Sequence, residues 1–105
     1  MDQPIKNKEE LIQRILDNQE IIRKYGVKQL GIFGSFVRNE ATADSDVDLF
    51  IEFYPEYKTF KNFMRLFDAF EAITGRKIEI VTPQSLSKYI GPYILKEIEY
   101  VAIAA

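Results

Sequence analysis

The 105-residue chain is 47% hydrophobic and 29% charged, carries a formal charge of −2, and contains neither cysteine nor histidine. That balance fits a single soluble globular domain over residues 1–105, with a real but thin core, and hardly two domains. The missing residue types exclude disulfides, thiolate zinc sites and histidine-dependent catalysis, and the acidic charge argues against gripping nucleic acid through a basic face.

Any metal must be held by oxygen ligands, which favours hard ions such as Mg²⁺ or Mn²⁺, and such ions would still let an acidic protein bind one nucleotide. The opening residues MDQPIKNKEE are polar and do not form a signal peptide. No apolar run approaches the roughly 20 residues of a membrane span. A cytoplasmic protein without membrane contact is expected.

Asn7 and Glu10 read as an N-cap and N3 pair. The apolar residues Leu11, Ile12, Ile15, Leu16 and Ile22 then recur at helical spacing, with Gln19 in the same series, as far as a stop at Tyr25-Gly26. Val27 to Phe33 reads as a strand broken by Gly34-Ser35, and Phe36 to Ala41 as a short helical turn. Val47 to Phe53 is a strand in which Val47, Leu49, Ile51 and Phe53 alternate with Asp46, Asp48, Phe50 and Glu52. Tyr54-Pro55 ends it. Thr59 caps a helix running to about Thr74, with Gly75 at its end. Lys77 to Val81 is a third strand. Thr82-Pro83 is a cap with proline at the first helical position, and Gly91-Pro92 restarts a last helix that ends near Tyr100. The expected fold is a small α/β (α+β) domain with helices packed on one face of a short mixed sheet.

Asp46 and Asp48 lie two residues apart on a strand and share a face, about 6.6 Å apart along the chain. Two carboxylates so placed can bracket a pair of metal ions, or simply belong to a solvated strand face or an Asx-type turn at Asp44-Ser45-Asp46. Gly34 permits close backbone approach to a phosphate, and Ser35 adds a hydroxyl donor; an ordinary strand-to-helix turn capped by Ser35 explains the same pair. Arg38, the i+3 neighbour of Ser35, could reach the same phosphates or point into solvent. Glu79 opposes Ile78 and Ile80 on its strand. It converges with Asp46 and Asp48 if that strand neighbours theirs, and is otherwise an exposed glutamate. The helix from Thr59 to Thr74 carries Phe60, Phe63, Met64, Leu66, Phe67, Phe70 and Ile73, wider than a simple core stripe. Either it is buried under the sheet, or part of it is a partner surface.

Taken together, Gly34-Ser35-Phe36-Val37-Arg38 followed by Asp44-Ser45-Asp46-Val47-Asp48-Leu49 resembles the signature of the DNA polymerase β-like nucleotidyltransferase superfamily, and within it the minimal nucleotidyltransferase family of prokaryotes. The resemblance runs from the first helix to Thr82-Pro83. It implies that Asp46 and Asp48 are paired metal ligands and that Gly34 and Ser35 contact a nucleotide triphosphate. It also implies a third carboxylate in a Val-Asp-Leu-Val-like context, a place held here by Ile78-Glu79-Ile80-Val81. Glutamate thus stands where aspartate is usual. The implied chemistry is transfer of AMP from ATP to a hydroxyl with two Mg²⁺ or Mn²⁺ ions, Glu79 serving as ligand or base. The implied acceptor is a small helical partner of the HEPN class, for which such chains act as antitoxins. Two other roles stay open: an antitoxin that neutralises by binding alone, and transfer to an antibiotic-like small molecule at a site completed by a dimer.

Overall fold

In the computed structural model, which describes residues 3–86, 88 and 91–103, Asn7 caps helix α1 (Lys8–Asp17) as expected. Its side chain accepts a 2.9 Å hydrogen bond from the Glu10 N–H, and the Glu10 carboxylate reaches back to the Lys6 N–H. The single helix expected up to Tyr25 is in fact two. The Asn18 side chain donates to the Arg14 carbonyl at 2.8 Å, and helix α2 (Gln19–Lys24) starts afresh after it. A short amide that bonds the backbone locally competes with helix continuation.

Strands β1 (Val27–Phe33) and β2 (Val47–Phe53) pair antiparallel, bringing Phe33 opposite Asp48. Pro55–Tyr57 forms one 3-10 turn. Thr59 then caps helix α3 (Phe60–Thr74) by accepting from the Asn62 N–H at 3.1 Å, and Gly75 closes it in the left-handed region. Strand β3 (Ile78–Val81) runs parallel to β2 with Glu79 opposite Asp48. A parallel neighbour needs a crossover, and α3 provides it.

The last element departs from expectation. Helix α4 (Gly91–Glu97) stops short of Tyr100, and Glu99–Val101 forms strand β4, antiparallel to β1. Sheet order is therefore β3-β2-β1-β4. The open edge of β1 offers unpaired backbone groups, and Tyr100 and Val101 are good strand residues, so pairing overrides the helical pattern.

The core lies on one face of the sheet. Leu11 and Ile15 of α1 and Leu66 and Phe70 of α3 pack against Leu30, Ile32, Val47, Leu49 and Ile51, all fully buried. Each such side chain contributes about 1.5–3 kcal/mol of burial. The opposite face is only partly covered. There Tyr100 meets Phe50 edge-on at 6.3 Å, and Ile98 closes over Gly31 so tightly that a Cβ at Gly31 would lie 2.3 Å from its methyl group. This second face carries Asp48 and Glu79.

Candidate active site

The site begins where β1 ends. Gly34 has φ +75°, and a Cβ there would stand 2.1 Å from the Asp48 Oδ2. Both the left-handed backbone and the approach of the carboxylate demand glycine. After Gly34 the chain makes one helical turn, less than the span expected to Ala41. The Arg38 N–H donates to the Gly34 carbonyl at 3.3 Å, the Asn39 N–H to Phe36 at 3.2 Å and the Glu40 N–H to Ser35 at 2.9 Å. Asn39 sits at φ 58°. That pair of closing bonds around a left-handed residue is a Schellman stop. Phe36 is fully buried and anchors the turn in the core.

Asp46 and Asp48 enter from the other side, at the start of β2. Asp46 is exposed and Asp48 half-buried. Arg76, placed just after α3, holds the loop that delivers them. Its guanidinium donates to the carbonyls of Thr42 at 2.7 Å, Ala43 at 3.3 Å and Ser45 at 2.9 Å, and to Ile5 at 2.8 Å. It also lies 5.0 Å from the centre of the Phe36 ring. One side chain thus ties the loop before Asp46 to the anchor of the Gly34-Ser35 turn. The three loop carbonyls meet at Nη1 while Nε holds the Ile5 carbonyl, a spread over two nitrogens that the single ammonium of a lysine cannot copy.

Register brings the carboxylates together. Asp48 is flanked by Phe33 on β1 and Glu79 on β3. Burial pushes the Asp48 carboxyl up to about 7, helped by a hydrogen bond to Glu79 and by the charges of Glu79 and Asp46, while Arg38 opposes the rise. A carboxyl in that position prefers to keep a proton unless a cation is supplied. Among the described residues no three acidic side chains stand arranged as a finished metal cage; Asp48 and Glu79 are instead turned towards each other. The donor set is all oxygen and short of positive charge, which fits a hard divalent ion.

Arg38 does reach this neighbourhood, but its partners are acidic side chains. It pairs with Glu40 at 3.0 Å and with Glu97, the last residue of α4, at 2.8 Å. Glu97 raises the Arg38 pKa by hydrogen bonding and charge. The other Glu97 oxygen accepts from the Gly34 N–H. Sequence reasoning missed both Arg76 and Glu97. Arg76 offered a weak cue, a cation between a glycine helix stop and a strand. Glu97 offered none, because it read as one more position of a longer helix.

Known proteins share this chain's sequence pattern and fold. The family model described as nucleotidyltransferase domain matches residues 8–104. A protein of Thermococcus cleftensis named protein adenylyltransferase MntA is 37% identical over 83 residues, covering 79% of this chain and 83% of its own. A Methanocaldococcus jannaschii chain named putative protein adenylyltransferase MJ1379 is 33% identical over 97 residues, 90% of this chain and 94% of its own. A solved structure described as a putative minimal nucleotidyltransferase superposes with TM-score 0.78 at 29% identity, over 90% of this chain and 95% of its own. The crystal structure of a toxin–antitoxin with AMP-PNP shares the fold, with TM-score 0.64 at 14% identity over 94% of this chain and 75% of its own.

Proposed function

We propose that this chain, which belongs to the nucleotidyltransferase domain family, moves AMP from ATP onto a hydroxyl of a small helical partner protein of the HEPN class, and so serves as its antitoxin. The observation that carries the reading is the pairing of Asp48 with Glu79 beside the Gly34 turn, with Asp46 close enough for its charge to act on Asp48. Asp46 and Asp48 would hold Mg²⁺ or Mn²⁺, with Glu79 completing the set. When bound, such ions neutralise triphosphate charge and make an attacking hydroxyl easier to ionise.

The chain's own groups account for the rest. The Gly34 and Ser35 backbone and the Ser35 hydroxyl face the phosphates, and Arg38 adds charge to them. The acceptor oxygen attacks the α-phosphorus, the bond to the β-phosphate breaks, and pyrophosphate leaves. The hydroxyl proton passes to Glu79, which stands across from Asp48 and whose carboxylate is in hydrogen-bond reach of it. Glutamate extends one methylene further than aspartate and can reach a proton held slightly away from the strand.

Support for a protein acceptor comes from two sides. One relative cited above is named protein adenylyltransferase and the other putative protein adenylyltransferase, and a fold neighbour is a toxin–antitoxin structure. On this chain, Phe60 is 81% exposed, with Tyr54, Tyr57 and Met64 exposed nearby in sequence. A protein partner is the occupant proposed for these exposed apolar side chains. Co-expression with a small helical protein of the HEPN class as candidate partner, followed by intact-mass measurement after incubation with ATP and Mg²⁺, tests the reading. The expected result is a stable complex whose partner gains one or more AMP units, dependent on Asp46 and Asp48. A complex without added mass would leave a binding-only antitoxin, and transfer to a small molecule without any complex would replace the protein acceptor.

A further inference from the structure

Glu97 sits on the two groups that the proposed function reserves for phosphate. One carboxylate oxygen accepts from the Gly34 N–H and the other from the Arg38 guanidinium. An anion bridging a backbone N–H at a glycine turn and an arginine fork is the chemistry of a phosphate oxygen. The carboxylate comes from the end of α4, one residue before the turn into β4. The neighbouring residue, Ile98, is wedged over Gly31, where a Cβ would meet its methyl at 2.3 Å. This wedge and the pairing of Tyr100 with Gly31 hold the end of α4 against β1, so the placement of Glu97 is built into the fold.

Two alternatives are weaker. Glu97 as a metal ligand would have to face Asp46, Asp48 and Glu79, yet both of its oxygens are committed to N–H donors. Glu97 as a plain surface ion pair would leave unexplained why it takes the Gly34 N–H as well as Arg38. Resting on the nucleotide-transfer reading, we infer that Glu97 is an internal phosphate mimic. It keeps the Gly34 turn and Arg38 in their binding arrangement when the site is free of nucleotide, and the triphosphate must displace it to bind. The ligand class it selects is a polyphosphate able to bring more charge than one carboxylate. A nucleoside or a monophosphate competes poorly.

Removing the mimic has opposite effects on the free and bound states. The contact stabilises the free protein, so Glu97→Ala lowers its melting temperature slightly. The same change tightens binding of AMP-PNP with Mg²⁺ by about fivefold, the scale set by a partly exposed ion pair. Glu97→Gln keeps the shape and one acceptor but loses the charge, and falls between. A merely structural role would weaken both stability and binding together. Titration calorimetry of the full chain with AMP-PNP and Mg²⁺, for wild type and both variants, decides. Affinity unchanged or weakened in both variants while wild type binds overturns the mimic alone. Unchanged affinity with lost transfer would make Glu97 part of the chemistry instead, and also overturns it. No binding to any of the three proteins removes the nucleotide reading and the mimic with it.

Discussion

Asparagine in place of Asp48 is expected to stabilise the protein when metal and nucleotide are absent, the reverse of what loss of a carboxylate usually does. Burial, together with Glu79 and Asp46, raises the Asp48 carboxyl from 3.8 to about 7. Between those values the folded chain holds a proton that the unfolded chain has released. Stability therefore falls as pH rises from about 4 to about 7, and levels off above. Three pH units correspond to about 4 kcal/mol. Asp48 is half-buried, so solvent screening reduces this to about 1–2 kcal/mol. An asparagine side chain has nearly the same shape and never charges. At pH 8 the D48N protein should be more stable by that amount, a rise of roughly 5–10 °C in melting temperature for a domain of this size. The advantage should shrink towards zero near pH 4. Urea melts of both proteins at pH 4, 6 and 8, without divalent ions, measure it. A D48N protein no more stable than wild type at pH 8, or a gap that ignores pH, would refute the account of Asp48. Adding Mg²⁺ and ATP should reverse the order, because only the wild type then gains the cation it lacks.

Glu79→Gln should cut AMP transfer strongly while leaving AMP-PNP binding largely intact, whereas Glu79→Asp should retain or raise transfer; equal rates in wild type and Glu79→Gln would place the third carboxylate elsewhere. Gly34→Ala forces a side chain into the left-handed region and onto Asp48, and should cost roughly 2 kcal/mol or more in denaturant melts as well as the nucleotide response. A mild cost with normal binding would mean that the turn can relax. Arg76→Lys keeps the charge but loses the fork, and should lower kcat about tenfold with the KM for ATP within about threefold. A fall in thermal stability with kcat unchanged would confine Arg76 to a structural role.

Much of this protein is written in short-range signals. Asn7, Thr59 and Gly75 mark helix ends because capping is a matter of neighbouring residues, and the alternation from Val47 to Phe53 marks a strand with one face in the core. The link between Asp48 and Glu79 was legible only as a condition, since sequence periodicity shows which face a residue takes but not which strand lies alongside. Strand β4 reads as helix in the sequence because its three residues are held by the edge of β1 rather than by any local preference. Glu97 was lost with it. Arg76 went unnoticed for another reason: its work is done on the carbonyls of Thr42, Ala43 and Ser45, and backbone acceptors leave no trace in a sequence.

The order β3-β2-β1-β4 also sets a hierarchy in time. Strands β1 and β2 close over the short Gly34–Asp46 connection, and β3 follows through α3. Strand β4 must return across most of the chain to find β1, which is the slowest loop to close and the least rewarded, with three residues paired. Such a segment opens as its own unit while the rest stays folded. The amides of Tyr100 and Val101 should then exchange with solvent well before those of Leu49 and Ile51, and the end of α4 should open together with them. The part of the sheet assembled last is the part whose opening costs the core least, chiefly the burial of Val101.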